Sequence, residues 1–512
     1  MKAIIRKRLK KAKRRIERRL RPIAWKEQAK PMFAAKNIRY EIAQRSRAVA
    51  AGGIGAMHLI AKHGGLIELI DRNVRVLKRH IPYHESDHVL NIAYNVLCGG
   101  SRLEHIEHRR NDEAYLDALG AQRIPDPTTE GDFCRRFETP EQVELLMEAI
   151  NEARLNVWKK QPKNFFDEAV IDADGTIAET TGECKQGMDI SYKGDWGYHP
   201  LVVSLANTGE PLYLSNRSGN RPSSEGAADY LDRSVALCRR AGFKAVRLRG
   251  DTDFTQTEYL DRWNAHDVKF VFGIPAMKNL VGIAESLTNK AFSPLHRPAK
   301  YDVKTESRKK PENVKERIVR ERQYENIRLQ SEEVAEFNYC PTKCKTSYRV
   351  IVLKKNLTVE RGEQRLFDDI AWFFYITNDW TKSAAGIVRD ANGRCNQENL
   401  IAQLKGGVKA MTMPVDTLVS NWAYMVMASL AWTLKSWAAL LLPEEGRWAE
   451  KHREEKRMLL RMEFGTFVQA FVQMPASIIR TGRRIVYRLL SWNPWRHVFF
   501  RLLDQLRLPL RC

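Results

Sequence analysis

Two short apolar runs in this chain each end in an aspartate. One is Ala169-Val-Ile-Asp-Ala-Asp174 and the other is Ala245-Val-Arg-Leu-Arg-Gly-Asp251. A third carboxylate, Glu398, lies in the helical stretch from Arg394 to Lys405. On a helix turning ~100° per residue, Arg394, Glu398 and Lys405 fall within about 40° of one another. A carboxylate between two cations on one face can hold a divalent ion and grip a phosphate at once. Hard oxygen ligands suit Mg²⁺ or Mn²⁺. Two such ions about 4 Å apart can activate an attacking oxygen on one side of phosphorus and stabilise a leaving oxygen on the other. The chemistry these residues suggest is therefore metal-dependent transfer of a phosphodiester.

In that arrangement Asp174 would bridge the two ions, because it ends a central strand, while Asp251 and Glu398 would each complete one metal shell. Arg394 and Lys405 would hold phosphates. Asp172 rivals Asp174, since residues two apart on a strand share a face. Asp174 is favoured because Gly175-Thr176 turns the chain just beyond it. Asp253 is likewise the rival of Asp251. Any one of these aspartates alone reads as a turn or cap residue; the case rests on the set of three and on the elements that join them.

Those elements follow from the apolar pattern. From Phe165, short apolar runs at 169–174, 200–206 and 211–216 are separated by turn residues. A helix follows, capped by Ser223 or Ser224, with Ala227, Leu231 and Val235 facing inward and Gly242 as its stop. Then come a strand at 245–249, a helix at 256–264 and a strand at 269–274. This order predicts a mixed α/β sheet of ribonuclease H-like type over 161–410, with the first and fourth strands each ending in an aspartate. A Lys-, Arg- and Glu-rich stretch from about 280 to 368, with strands near 322–329 and 348–354, reads as a β-rich insertion before the apolar run 372–377. Residues 1–30 form a basic arm and 31–160 a helical DNA-binding domain. Residues 411–512 are expected to be a basic region that stays helical to its end. In the N-terminal domain, Thr128 or Thr129 after Pro127 can cap a short helix carrying Arg135 and Arg136, a candidate DNA-reading helix. Arg217 and Arg221, in Asn216-Arg-Ser-Gly-Asn-Arg221, read as exposed loop cations that could line a DNA path.

Composition agrees with a polyanionic partner. The formal charge is +23, with twelve Lys or Arg in the first 22 residues and eight Arg against one acid, Asp504, from Met474 onward. The basic residues run along the whole length, which favours nucleic acid over a membrane surface. Residues 417–434 carry no charge, but Thr417, Ser420, Asn421, Ser429 and Thr433 punctuate them. A buried core helix is expected there and no membrane span. The eight cysteines are scattered and no signal peptide is visible, which fits a reducing, cytoplasmic setting.

The spacing Arg394-x3-Glu398-x6-Lys405 resembles the Tyr-x2-Arg-x3-Glu-x6-Lys motif of DDE transposases from bacterial insertion sequences. The runs Ile171–Thr176, Gly197-Tyr-His-Pro-Leu201, Leu248–Phe254, Phe270–Gly273 and Asn396–Asn399 are similar to the branch called insertion-sequence family thirteen-eighty. Ala391 stands where the motif has Tyr, so any contact made by that Tyr has no counterpart here. The resemblance implies binding of double-stranded DNA at the element's terminal inverted repeats, cleavage at the ends and joining of the 3′-hydroxyls to target DNA. It also implies two Mg²⁺ or Mn²⁺ ions per site, a homodimer or higher oligomer on paired ends, and a β-rich insertion ahead of the Glu. Two other readings share the same residues: a metal-dependent nuclease on the same fold, and a non-catalytic DNA-binding derivative.

Other features point elsewhere less well. Cys340-Pro-Thr-Lys-Cys344 lacks the second pair that a zinc site needs. His105 and His108 lack the His-Glu-x-x-His order of a zinc peptidase, and no phosphate-binding Walker loop is present. Trp372 and Trp380 flank the 372–377 run, where a Trp could stack on an extruded base.

Overall fold

A computed structural model of the chain describes residues 14, 18, 24–42, 49–297, 314–361, 364–481, 484–489 and 494–507. Of the basic arm, only Arg14, Arg18 and residues 24–30 fall among these.

After strand β1 (Ile38–Ile42), the N-terminal part is helical. Its main helices are α1 (Ile54–His63), α2 (Leu66–Asn73), α3 (Glu85–Leu97), α4 (Pro127–Arg135) and α5 (Pro140–Trp158). The α4 cap is Asp126, whose carboxylate accepts from the Thr129 N–H at 2.9 Å, with Pro127 at the first helical position. The expected cap at Thr128 or Thr129 therefore lies inside the helix. Proline's fixed φ and missing N–H cost nothing in the first turn, so the helix starts one step earlier.

Strands follow as β2 (Glu168–Gly175), β3 (Ala178–Glu179), β4 (Asp189–Ile190), β5 (Trp196–Tyr198), β6 (Leu201–Leu205) and β7 (Glu210–Ser215). Helix α6 (Ala227–Ala241) buries Ala227, Leu231 and Val235 and stops at Gly242, where φ is +100°. Its leading residue is Gly226 and neither Ser223 nor Ser224. Then come β8 (Ala245–Gly250), a short helix Leu260–Ala265, β9 (Val268–Ile274) and β10 (Ser293–Pro294). Strands β2 and β6–β10 join one nine-stranded sheet, ordered β10-β11-β12-β13-β9-β8-β2-β6-β7 once β11 (Glu325–Tyr339), β12 (Tyr348–Arg361) and β13 (Gln364–Thr377) are added, while β3, β4 and β5 form a small sheet of their own. Strands β2, β8 and β9 are parallel; β6, β7 and β13 run antiparallel to their neighbours. The chain is thus mixed α/β around a large mixed sheet.

Strands β11 and β12 fall within the Lys-, Arg- and Glu-rich stretch and join the main sheet. β13 runs unbroken from the insertion into the core and pairs with β9 from Phe374 to Thr377, so the added strands extend the main sheet. Helix α7 (Val314–Glu321) rests on the extension through a 3.0 Å pair between Glu316 and Arg328.

Beyond β13 lie α8 (Ala384–Asn392), α9 (Cys395–Ala402) with a π-helical turn at Gln403–Gly407, and α10 (Leu418–Leu440). From Ser420 to Leu440 every residue of α10 is buried, which accounts for its apolar character on all sides. Among the described residues no helix is long and apolar enough to cross a membrane. The C-terminal part does not stay helical. Strands β14 (Ala476–Thr481) and β15 (Arg484–Leu489) form a hairpin, and β15 pairs in parallel with β1, Ile38 opposite Ile485. Pairing across more than 400 residues of sequence supplies hydrogen bonds that local pattern does not reveal. One continuous apolar cluster runs from Phe33 through α3, α5, the sheet and α10 to Leu503.

Candidate active site

Every second residue on β8 and β2 faces the same side of the sheet, and on that side Glu168, Asp172, Asp174, Arg247, Arg249 and Asp251 are charged, with Val170 among them. In register, Asp172 lies opposite Arg249. Arg249 grips Asp172 with both Nε and Nη2 at 2.7 Å, deep in the protein. One step toward the strands' N-termini, Arg247 pairs with Glu168 and with Asp379, each at 2.9 Å. One step toward their C-termini stand Asp174 and Asp251. The charged face thus forms a column in which the inner carboxylates are each matched by an arginine.

At the outer end the balance changes. Asp174, Asp251 and Glu398 share one guanidinium, that of Arg394. Its Nη1 is 3.1 Å from Asp174 and 3.8 Å from Asp251, and its Nη2 is 3.7 Å from Glu398. Three carboxylates and one cation leave a local excess of negative charge. Burial pushes the Asp174 carboxyl up to about 6; Arg394 pulls it back while Asp251 and Glu398 push it further. Asp251 is also raised, again by burial first and with Arg394 opposing. Backbone N–H of Asp253 donates to Asp251 at 3.0 Å, which fixes Asp251 at the end of β8, while Asp253 itself is exposed.

The site is held from behind. Gln397 is buried and its amide donates to Val202 O at 2.9 Å, while Ser204 Oγ donates to its other end. This ties α9 to β6 and aims Glu398 toward the strand ends. Arg249 Nη1 also donates to Asp390 O at 2.9 Å, passing so close to Gly393 that a Cβ there would collide with it. The pair Asp172–Arg249 thereby supports the turn that presents Arg394. Gly175, next to Asp174, has His199 Nε2 only 2.8 Å from where a Cβ would sit. His199 is fixed by Nδ1 against Arg221 O at 2.7 Å, and burial lowers its pKa.

Lys405 reaches the same end of β2 as Arg394, from inside a π turn. The π turn at Gln403–Gly407 widens the helix, and Lys405 Nζ donates to Ile177 O at 2.5 Å. It therefore sits beside the chain leaving Asp174. Burial lowers its pKa, with Glu179 opposing and Lys193 reinforcing the shift. The expectation for Arg217 is overturned: it is buried and donates to His199 O at 2.9 Å, and to Pro222, Ser223 and Glu225 carbonyls at 3.2, 2.9 and 2.7 Å. Loop carbonyls turned inward need a donor, and Arg217 supplies it instead of facing DNA. Arg221 is exposed, with Glu225 at 3.4 Å. On α4, Arg136 is exposed, and Arg135 pairs with Asp416 at 2.7 Å and Asp132 at 3.1 Å. Trp372 packs against Phe292, and Trp380 follows Asp379 at the opposite end of the strands from Asp174. Cys340 and Cys344 are free thiols, with Cys344 Sγ bonded to Thr257 O at 3.2 Å.

The donor set fits Mg²⁺ or Mn²⁺: it is all carboxylate oxygen, and it carries more negative charge than Arg394 offsets. As they stand, however, no three His, Cys, Asp or Glu side chains among the described residues are grouped closely enough to hold one ion. Arg394 lies among the three carboxylates, so an ion entering there must displace its guanidinium.

Sequence reasoning missed Arg249, Gln397 and Gly393 as supports. The signal was present in β8, where arginine alternates with Val246 and Leu248 in a buried strand. A charged side chain in such a place must have a partner.

A family model described as transposase DDE domain group 1 matches residues 32–510. No curated protein matches the chain significantly. Among solved structures, the cryo-EM structure of the piggyBac transposase synaptic complex with hairpin DNA is similar at 10% identity, over 92% of this chain and 89% of that one, with a TM-score of 0.35.

Proposed function

The chain belongs to the transposase DDE domain group 1 family, and from that premise we propose that it is a metal-dependent DNA transposase. It binds the terminal inverted repeats of an insertion sequence as a dimer or higher assembly, cuts the DNA at the element ends and joins the freed 3′-hydroxyls to target DNA. The single observation that carries this reading is the meeting of Asp174, Asp251 and Glu398, from β2, β8 and α9, around one guanidinium. The sheet order β7-β6-β2-β8-β9, with β6 antiparallel to β2, supports a ribonuclease H-like core beneath them.

Asp174, Asp251 and Glu398 would hold two Mg²⁺ or Mn²⁺ ions. When bound, such ions make the attacking oxygen more acidic and offset charge on the leaving oxygen. Arg394, released from the carboxylates, is then free to bind a phosphate beside the reacting bond. Lys405, anchored on Ile177 O, supplies a second cation next to the strand that carries Asp174. Asp172 stays with Arg249 and keeps that strand in register with β8.

The test is an end-joining assay with end DNA and a plasmid target in Mg²⁺ or Mn²⁺, comparing wild type with Glu398→Gln. Joining by the wild type alone, with DNA binding equal in both proteins, is the expected result. Cutting without joining would make the protein a nuclease. Equal activity in both proteins would remove Glu398 from the chemistry.

A further inference from the structure

The small sheet β3-β5-β4 carries Tyr192, the most exposed large hydrophobic side chain among the described residues at 80%. On the same hairpin Trp196 is 53% exposed, and Ile190, directly opposite it in register, is 47% exposed. A folded chain rarely leaves two large rings in water on one short hairpin unless something covers them.

This hairpin is held firmly. Ser191 Oγ accepts from the N–H groups of Lys193 and Asp195 at 3.2 and 3.1 Å, and Ser191 N–H donates to Asp195 O at 2.8 Å. Gly194 takes φ +90°, which closes the turn in a conformation other residues resist. At the base, Asn220 donates to Asp189 at 2.6 Å, and Gly197 lies so close to Ala178 O that no side chain fits. The rings are therefore presented on a rigid support.

The hairpin also adjoins the candidate active site. Its sheet begins at Ala178, just past Ile177, whose carbonyl receives Lys405. Lys193, at the tip with its ammonium 5.5 Å from the Tyr192 ring centre, is near enough to bear on the charge of Lys405. On the other side, Gln186 N–H donates to Asp416 O at 2.7 Å, and Asp416 holds Arg135.

We propose that Tyr192 and Trp196 form a stacking platform for unpaired nucleobases of the DNA strand beside the cleavage position. This rests on the DNA-cleaving function proposed above. Stacking suits the task because every base has a π-face, so such a platform accepts any sequence. Paired DNA hides those faces, so the platform selects frayed or flapped strands over closed duplex. Lys193, exposed at the tip, and Lys405 beside the site can meet the phosphates that an unpaired strand brings with it, whereas Arg135 is already held by Asp416 and Asp132.

The test compares binding of a fully paired duplex with the same duplex bearing an unpaired oligothymidine arm, by fluorescence anisotropy at fixed salt. Wild type, Tyr192→Ala/Trp196→Ala and Tyr192→Phe/Trp196→Phe are measured, with thermal melting to check folding. The armed duplex is expected to bind about tenfold tighter to wild type, a preference the Ala pair loses and the Phe pair keeps. Arms carrying 5-iodouracil should crosslink to the 189–198 hairpin of the wild type. Equal binding of both DNAs by wild type, or an unchanged preference in the Ala pair, overturns the platform while leaving DNA binding intact. A change of oligomeric state in the Ala pair with its arm preference unchanged makes the hairpin a protein interface and also overturns it. Failure of wild type to bind either DNA brings down the transposase reading together with the platform.

Discussion

Arg394 Nη1 lies 3.1 Å from Asp174 Oδ2, and the same guanidinium reaches Asp251 and Glu398. An arginine is always charged and cannot step aside by losing a proton. It therefore stands in for cationic charge among three carboxylates that would otherwise repel one another. Whatever cation enters this place competes with it.

Replacing Arg394 by Gln should thus tighten divalent-ion binding to the free protein. At these separations, and after allowing for solvent, the repulsion removed is roughly 1–2 kcal/mol, or on the order of tenfold in affinity. End-joining should fall at the same time, because a phosphate contact is lost. Mn²⁺ titration followed by electron paramagnetic resonance reads the first effect. Weaker Mn²⁺ binding in Arg394→Gln would show that the guanidinium organises the site instead of occupying it.

Asp174, pushed up to about 6, gives the site a pH dependence. The proton must leave before an ion can bind, so Mn²⁺ affinity should climb steeply around pH 6 and flatten above pH 7. Stability of the metal-free protein moves the other way. A carboxyl whose folded pKa is raised favours the folded state at low pH, and that contribution disappears as pH rises from the ordinary value through about 6. The loss is at most about 2–3 kcal/mol. Melting in EDTA at pH 5 and pH 7 should show the drop in wild type and a smaller one in Asp174→Asn.

Asp172 and Asp174 are two residues apart on one strand face, yet their removal should have opposite effects. Asp172→Asn leaves Arg249 buried without its bidentate partner, which costs about 3–5 kcal/mol. Asp174→Asn removes one of three crowded carboxylates and should raise the melting temperature of the metal-free protein near pH 7. Gly393→Ala should resemble Asp172→Asn more mildly, since its Cβ would press on Arg249. Circular dichroism melts in EDTA separate the cases. Equal destabilisation by both Asp substitutions would mean that Asp174 is a structural partner of Arg394.

The contrast between these two aspartates marks where sequence reading ends. Strands β2, β6, β7, β8 and β9 were legible to within a residue or two, because short apolar runs bounded by turn residues leave few alternatives. Which aspartate faces the cleft depended on Arg249 lying across from Asp172, a matter of register between strands. Arg217 looked exposed because its neighbours are polar, and only the inward turn of four carbonyls reveals its use. The pairing of β15 with β1 joins segments from opposite ends of the chain, which no local pattern reveals.

Lys435 sits in the middle of the packed helix α10, with no ion-pair partner among the described residues. Its ammonium donates to Leu460 O at 2.7 Å and lies 3.8 Å from the Trp432 ring centre. Burial pushes its pKa down to about 7. A lysine whose folded pKa lies below its ordinary value binds fewer protons in the native state than in the unfolded one. Its penalty is therefore full below about pH 7 and is relieved as pH rises toward the ordinary value. Lys435→Met keeps the length of the side chain and removes the charge. It should stabilise the protein by roughly 1–3 kcal/mol at pH 6, after deducting the lost hydrogen bond and ring contact. The gain should shrink toward zero by pH 9. Paired thermal melts of the two proteins across that range measure the difference directly. A Lys435→Met protein that is less stable than wild type at pH 6 would show that the Leu460 and Trp432 contacts outweigh the cost of burying the charge.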